Sequence, residues 1–95
     1  MDKFSAMQAF VRVVEAGTFT KAADSMAMPK ATVTRLIQTL EQELDTKLLN
    51  RTTRRLALTE VGQDYLERAK RVLAELDDAD ALAGAVNQAP SGTLS

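Results

Sequence analysis

The chain has 95 residues, 45% of them hydrophobic, and a formal net charge of −1 at pH 7. A chain of this length forms one small domain, and it contains no Cys and no His. Disulfides, thiolate chemistry and the commonest general base and metal ligand are therefore excluded. No apolar run is long enough for a membrane span, and the N-terminus lacks the pattern of a signal peptide, which fits a cytoplasmic protein. We expect no catalytic residue, no metal and no cofactor.

Charge is unevenly distributed along the chain. Residues 1–59 carry nine Lys or Arg and six Asp or Glu, whereas residues 60–95 carry three and seven. Within the first part, the segment Thr46–Thr59 holds Lys47, Arg51, Arg54 and Arg55 and no acidic residue. A basic patch of this kind is the electrostatic pattern that binds nucleic acid.

Two helices are predicted in the first part of the chain. Apolar residues at helical spacing predict a first helix capped by Asp2 and ended by Gly17, which readily takes a positive φ. Thr20 is expected to cap a short second helix, Lys21–Ala27. Pro29 should break that helix and stand in the first turn of the next one.

The third helix is predicted to end near Leu44, with Asp45 in the left-handed conformation that glycine usually takes. Its apolar residues share one face: Val33, Leu36, Ile37, Leu40 and Leu44. The opposite face is small, polar or basic and free of acidic side chains: Ala31, Thr34, Arg35, Gln38 and Gln42. A helix with such a face, preceded by a short helix and a sharp turn, can enter the major groove of DNA.

A β-hairpin is predicted after this helix. Two short extended runs, Lys47–Arg51 and Leu56–Leu58, flank the polar and basic tip Thr52–Arg55. A helix-turn-helix followed by such a hairpin is a winged helix, in which the wing is a second arm that contacts DNA. We therefore predict a mostly α fold, with a winged helix-turn-helix head of three helices and a short hairpin in residues 1–59.

A long linker helix is predicted from Glu60 to Gln88, capped by Thr59 and about 43 Å long at 1.5 Å per residue. Its apolar residues alternate spacings of four and three, as in a heptad seam. We expect this stripe, from Tyr65 to Val86, to have no partner within the chain and to form a dimer interface, because a small head cannot cover a helix this long. The expected interface residues are Tyr65, Ala69, Val72, Leu73, Leu76, Ala79, Ala83 and Val86. The alternative is a helix that packs on its own domain.

Four blocks of the sequence resemble the DNA-binding domain of LysR-type transcriptional regulators: Gly17–Ala23, Thr32–Arg35, Leu40–Arg51 and Leu58–Gly62. They follow the family's order and spacing from Asp2 to about Gln88, which is more specific than one helix-turn-helix pattern. The resemblance implies a bacterial, cytoplasmic, nucleoid-associated regulator whose linker helices pair antiparallel. It also implies that residues 89–95 are a hinge to a missing effector-binding domain. The chain would then be a fragment, and a small-molecule effector would bind only through that C-terminal domain.

The resemblance further implies roles for single residues. Contacts to base edges are expected from Lys30, Ala31 and Thr34, and contacts to the DNA backbone from Thr20, Thr32, Arg35, Arg51 and Arg55. Arg54 at the wing tip is expected in a narrow minor groove. For Arg51 the alternative is an ion pair with Glu41 or Glu43. Lys30 stands where the family often has Gln, so we expect it to prefer guanine or phosphate to adenine.

The expected partners are a pseudo-palindromic, double-stranded DNA operator and a second copy of the chain, with a tetramer as a further state of the full-length protein. No membrane partner is expected. A winged helix of the MarR type is one alternative, although such proteins usually place a long dimerising helix ahead of the head. A coiled-coil protein-interaction module without specific DNA binding is another alternative. An enzyme is disfavoured by the missing His and Cys.

Overall fold

The computed structural model describes residues 2–51 and 56–88. Its elements are α1 (Lys3–Ala16), α2 (Phe19–Met26), α3 (Lys30–Leu44), β1 (Leu49–Arg51), β2 (Leu56–Leu58) and α4 (Glu60–Gln88). The strands pair antiparallel, with Leu49 opposite Leu58 and Arg51 opposite Leu56. The predicted order of three helices, a hairpin and one long helix is confirmed. No helix within the described ranges has the length and apolar character that crossing a membrane requires.

Side-chain caps set where the first two helices begin. The Asp2 carboxylate caps α1, as predicted. In α2 the hydroxyl of Thr18 accepts a hydrogen bond from the Lys21 N–H at 3.1 Å, so Thr18 is the N-cap. The prediction of Thr20 for this role is wrong, because the backbone is already helical at Phe19, whose ring is buried in the core.

Three residues in the left-handed conformation end the three helices of the head. They are Gly17, Ala27 and Asp45, with φ of 86°, 55° and 53°. The prediction for Asp45 is confirmed, whereas Ala27 was predicted to lie within α2. Pro29 is the N-cap of α3, with φ −63° and ψ 146°, and not a residue of its first turn. Proline therefore shapes the turn between α2 and α3 from outside both helices.

The hydrophobic core lies where α1, α2 and α3 meet, and α4 closes it from one side. Leu66 and Ala69 of α4 are only 5% and 1% exposed, and the Tyr65 ring lies 5.8 Å from the Phe10 ring. Leu73 is half-buried against the same core. The prediction of an apolar stripe without a partner in the chain is therefore wrong for its first part. Periodicity locates the apolar face, but it does not tell how far the head reaches along it.

The start of α4 is fixed to the first strand of the wing. Thr59 caps the helix, since its Oγ1 accepts the Gly62 N–H at 2.8 Å. The same hydroxyl donates to the Lys47 carbonyl oxygen at 2.7 Å. Gly62 packs so closely that a Cβ there would lie 2.9 Å from the carbonyl carbon of Leu48. The start of α4 is therefore packed directly against the wing.

Candidate nucleic-acid interface

The outward face of α3 is the candidate surface for base recognition. Its inward face packs in the core through the buried residues Val33, Ile37 and Leu40. Lys30 is exposed at the start of the helix, and on the outward face Ala31 is exposed and Thr34 is half-buried. The structure therefore brings the three predicted base-contact residues together on the first turns of a helix whose orientation the core fixes.

The N-terminus of α3 carries no side-chain cap. Pro29 makes no capping hydrogen bond, and the first turn contains no acidic residue. Asp2, Thr18 and Thr59 cap the other helices through their side chains. The first N–H groups of α3, the positive end of its dipole and the Lys30 ammonium group together favour an anionic group at this end of the helix.

Three of the predicted backbone-contact residues lie in the first two turns of α2 and α3. Arg35 is exposed on the outward face of α3, and Thr32 is half-buried in its first turn. Thr20 is exposed in the first turn of α2, because Thr18 performs the capping. Threonine hydroxyls and an arginine guanidinium group are side chains that usually contact phosphates.

A cleft of about 230 Å³ separates α3 from strand β1, and we call it the wing cleft. Its polar and charged lining consists of Thr34, Gln38, Glu41, Lys47, Asn50 and Arg51, above an apolar floor of Phe19, Ile37 and Leu49. Sequence reasoning assigned no role to Gln38, although it follows Thr34 by one turn on the same face. Lys47 was part of the predicted basic patch, but neither its place in the cleft nor that of Asn50 could be predicted, because both depend on how the wing folds against α3.

Arg51 packs on an aromatic ring and not on a carboxylate. Its Cζ lies 4.2 Å from the centroid of the Phe19 ring. The Glu41 carboxylate accepts hydrogen bonds from backbone N–H groups, and Glu43 lies 4.0 Å from the Lys3 ammonium group. That contact is the only ion pair in residues 2–51 and 56–88. The alternative of an ion pair between Arg51 and Glu41 or Glu43 is therefore wrong.

Several predicted residues lie outside the described residues. Arg54 and Arg55, the predicted contacts of the wing tip, fall in the gap between residues 51 and 56. The hinge at 89–95 and the side chain of Val86 also lie outside the description.

The second half of α4 carries an exposed apolar stripe. Val72 and Leu76 are 48% and 39% exposed, and Ala79 and Ala83 are exposed beside them on the same face. Of the predicted interface residues, Tyr65, Ala69 and Leu73 instead pack on the head. The stripe that the described part of the chain leaves uncovered therefore begins at Val72.

Comparison with known proteins supplies the family. The model for bacterial regulatory helix-turn-helix proteins of the lysR family matches residues 4–63. The chain is 52% identical over 82 residues to the HTH-type transcriptional regulator YhjC of Escherichia coli K12, which covers 86% of this chain and 27% of that protein. It is 48% identical over 86 residues to the regulator CrgA of Neisseria meningitidis serogroup B, covering 90% of this chain and 29% of that protein. The chain thus spans less than a third of the length of these curated relatives.

The fold resembles a solved DNA complex. The crystal structure of the BenM DNA-binding domain with catB site 1 DNA matches at a TM-score of 0.85 and 32% identity, over 93% of this chain and 98% of that one. These relatives are regulators and not enzymes, as the sequence predicted. With its fold and more than half of its length matched, the chain belongs to the LysR family of bacterial regulatory helix-turn-helix proteins.

Proposed function

We propose that the chain binds double-stranded DNA in a sequence-specific manner, as the DNA-binding part of a LysR-type regulator. The outward face of α3 carries the proposal, because it is exposed, free of acid in its first turn and held by a buried opposite face. An α-helix is about 10–12 Å across with its side chains, and the major groove is about 12 Å wide. The BenM domain in complex with DNA, which has the same fold, supports this docking.

The proposed roles follow the chemistry of each side chain. Lys30 donates to guanine N7 or O6, and the methyl groups of Ala31 and Thr34 contact thymine. The hydroxyl and guanidinium groups of Thr20, Thr32, Arg35 and Arg51 contact phosphates, as does Arg55, and Arg54 enters the minor groove. The base contacts and the minor-groove contact of Arg54 carry sequence information, whereas the phosphate contacts do not, since phosphates are alike along the duplex.

We also propose that two chains pair through α4, along the stripe from Val72 to Ala83. The resemblance to the family implies that the two helices run antiparallel. Such a dimer has twofold symmetry and suits a pseudo-palindromic operator.

The family resemblance extends the proposal to the full regulator. Its effector would bind to a C-terminal domain beyond residues 89–95, and it would act in the cytoplasm at the nucleoid, as a dimer or a tetramer. A coiled-coil module without specific DNA binding is the competing function. Absence of salt-dependent DNA binding would favour that module.

The test is selection of bound sequences from a random DNA pool, followed by binding of variants to the selected site and to random DNA. Lys30→Ala and Thr34→Ala should change the selected sequence and cost about 1–3 kcal/mol on the original site. Arg35→Ala should weaken all sequences alike and reduce the salt slope by about one unit. Arg71→Ala removes the same charge from the exposed side of α4 and serves as the matched control. Equal losses on selected and random DNA for every variant would contradict the assignment.

A further inference from the structure

Two contacts hold the first strand of the wing against the helix-turn-helix. The first lies at the start of β1, where one carboxylate oxygen of Glu41 accepts hydrogen bonds from the N–H groups of Leu48 and Leu49 at 2.8 and 3.0 Å. Glu41 belongs to the last turn of α3 and is half-buried. Hydrogen bonds to an ionised carboxylate are shorter and stronger than those between neutral groups. Helix α3, the proposed recognition helix, thus directly determines where the wing begins.

The second contact lies at the other end of β1. The guanidinium carbon of Arg51 lies 4.2 Å from the centroid of the Phe19 ring. Phe19 is only 6% exposed and belongs to the core, whereas Arg51 is exposed. A guanidinium group that packs on a ring keeps its N–H groups available for hydrogen bonds to a phosphate. The head therefore sets the position of this cation at the mouth of the wing cleft.

We propose that Glu41 is a positioning residue for DNA binding, which holds β1 on α3 so that Arg51 presents its guanidinium group to a DNA phosphate beside the recognition helix. This inference rests on the proposed function. Glu41 itself faces the backbone amides of the wing and contacts no DNA. The mouth of the cleft is polar and basic through Gln38, Lys47 and Asn50, which suits a phosphodiester group.

Whether DNA affinity falls or rises when Glu41 is replaced distinguishes this positioning role from simple charge repulsion. A carboxylate close to DNA repels phosphates, so removing its charge should by itself strengthen binding. The positioning role predicts the opposite for Glu41→Ala, because the wing loses its anchor and Arg51 loses its place. Glu43→Ala is the matched control, since it removes the same charge two residues further along the chain from an exposed carboxylate. It should bind DNA as tightly as the wild type, or more tightly.

The experiment is a double-mutant cycle between Glu41 and Arg51, with DNA affinity measured over a range of salt concentrations. Glu41→Ala and Arg51→Ala should each lower affinity about 10-fold and reduce the salt slope by about one unit, as expected for one lost phosphate contact. The double variant should be at most about threefold weaker than either single variant, because both changes remove the same contact. Glu41→Gln retains an oxygen acceptor and should stay within about threefold of the wild type.

Wild-type affinity and slope in Glu41→Ala, or losses that multiply in the double variant, would overturn the positioning role. If Glu41→Ala does not fold, a cycle between Phe19→Leu and Arg51→Ala decides. Phe19→Leu keeps an apolar core residue but removes the ring, so it should weaken binding only while Arg51 is present, and equal weakening in both backgrounds would overturn the proposal. A wild-type chain without salt-dependent DNA binding would instead overturn the proposed function.

Discussion

Gly62 provides a sharp test of how α4 is docked. A Cβ at this position would lie 2.9 Å from the carbonyl carbon of Leu48, closer still to its oxygen, and 3.1 Å from Thr59 Oγ1. The Leu48 backbone cannot easily move, because its N–H is bound by Glu41 and its carbonyl oxygen accepts the Thr59 N–H at 3.0 Å. Gly62→Ala must therefore push the first turn of α4 away from the wing.

The expected loss can be estimated from three contributions. Overpacking against fixed main chain costs about 3 kcal/mol, and weakening of the Thr59 cap costs about 1 kcal/mol. The better helix propensity of Ala offsets about 1 kcal/mol. Gly62→Ala should therefore destabilise the fold by about 3 kcal/mol. At about 4–8 °C per kcal/mol for a domain of this size, Tm should fall by roughly 12–24 °C.

Gly84→Ala is the matched control in the same helix. A Cβ there would meet nothing within 4 Å, so only the helix propensity applies and the variant should gain up to about 1 kcal/mol. Both variants should be unfolded by heat and by urea, followed by far-UV circular dichroism at one fixed protein concentration, because association would change the apparent stability. A Gly62→Ala protein as stable as the wild type would refute the close packing of α4 on the wing.

Three further predictions concern the turns, the helix pair and the wing tip. Asp45→Gly and Ala27→Gly place glycine at positions with positive φ, so each should raise the free energy of unfolding in urea titrations, by a few tenths to about 1 kcal/mol for Asp45. A lower free energy of unfolding for either variant would contradict backbone strain at that position. Leu76→Asp buries a charge in the proposed seam, so sedimentation should show monomers and binding to a duplex with two half-sites should weaken. Ala81→Asp, whose side chain faces away from the stripe, should change neither the sedimentation nor the binding. Undiminished dimerisation of Leu76→Asp would exclude this seam. Arg54→Ala should weaken sites flanked by A·T tracts more than other sites in competition assays, and equal losses on both would contradict minor-groove insertion.

Features that depend only on residues close together in the sequence could be predicted from it. The bounds of α4 and the left-handed Asp45 follow from local patterns, and the structure confirms both. Cap choice was less predictable, since Thr18 and Thr20 have the same side chain and only the burial of Phe19 decides between them. The left-handed Ala27 was missed because alanine ordinarily continues a helix.

Contacts between distant parts of the chain were beyond the reach of sequence patterns. The heptad spacing identified Ala69 as apolar and inward, but a head and a partner helix both satisfy that pattern. The partner of Arg51 depends on where β1 passes over α2, which no local signal encodes. The predicted base-facing residues were easier to find, because helical periodicity places Ala31 and Thr34 away from the buried face and Lys30 stands at the start of the helix.

The two faces of α4 have a mechanical consequence. Leu66 belongs to the core of the head and Ala79 to the proposed seam, and they are about 20 Å apart along one continuous helix at 1.5 Å per residue. A continuous helix of this length is stiff, so a tilt at the seam moves the head at its other end. To follow an operator lengthened by the 3.4 Å step of one base pair, the two helices would have to tilt by about 10° relative to each other. In the proposed dimer the paired helices therefore fix the distance between the two heads. An operator lengthened by a single base pair should not be bound, even when both half-sites are intact.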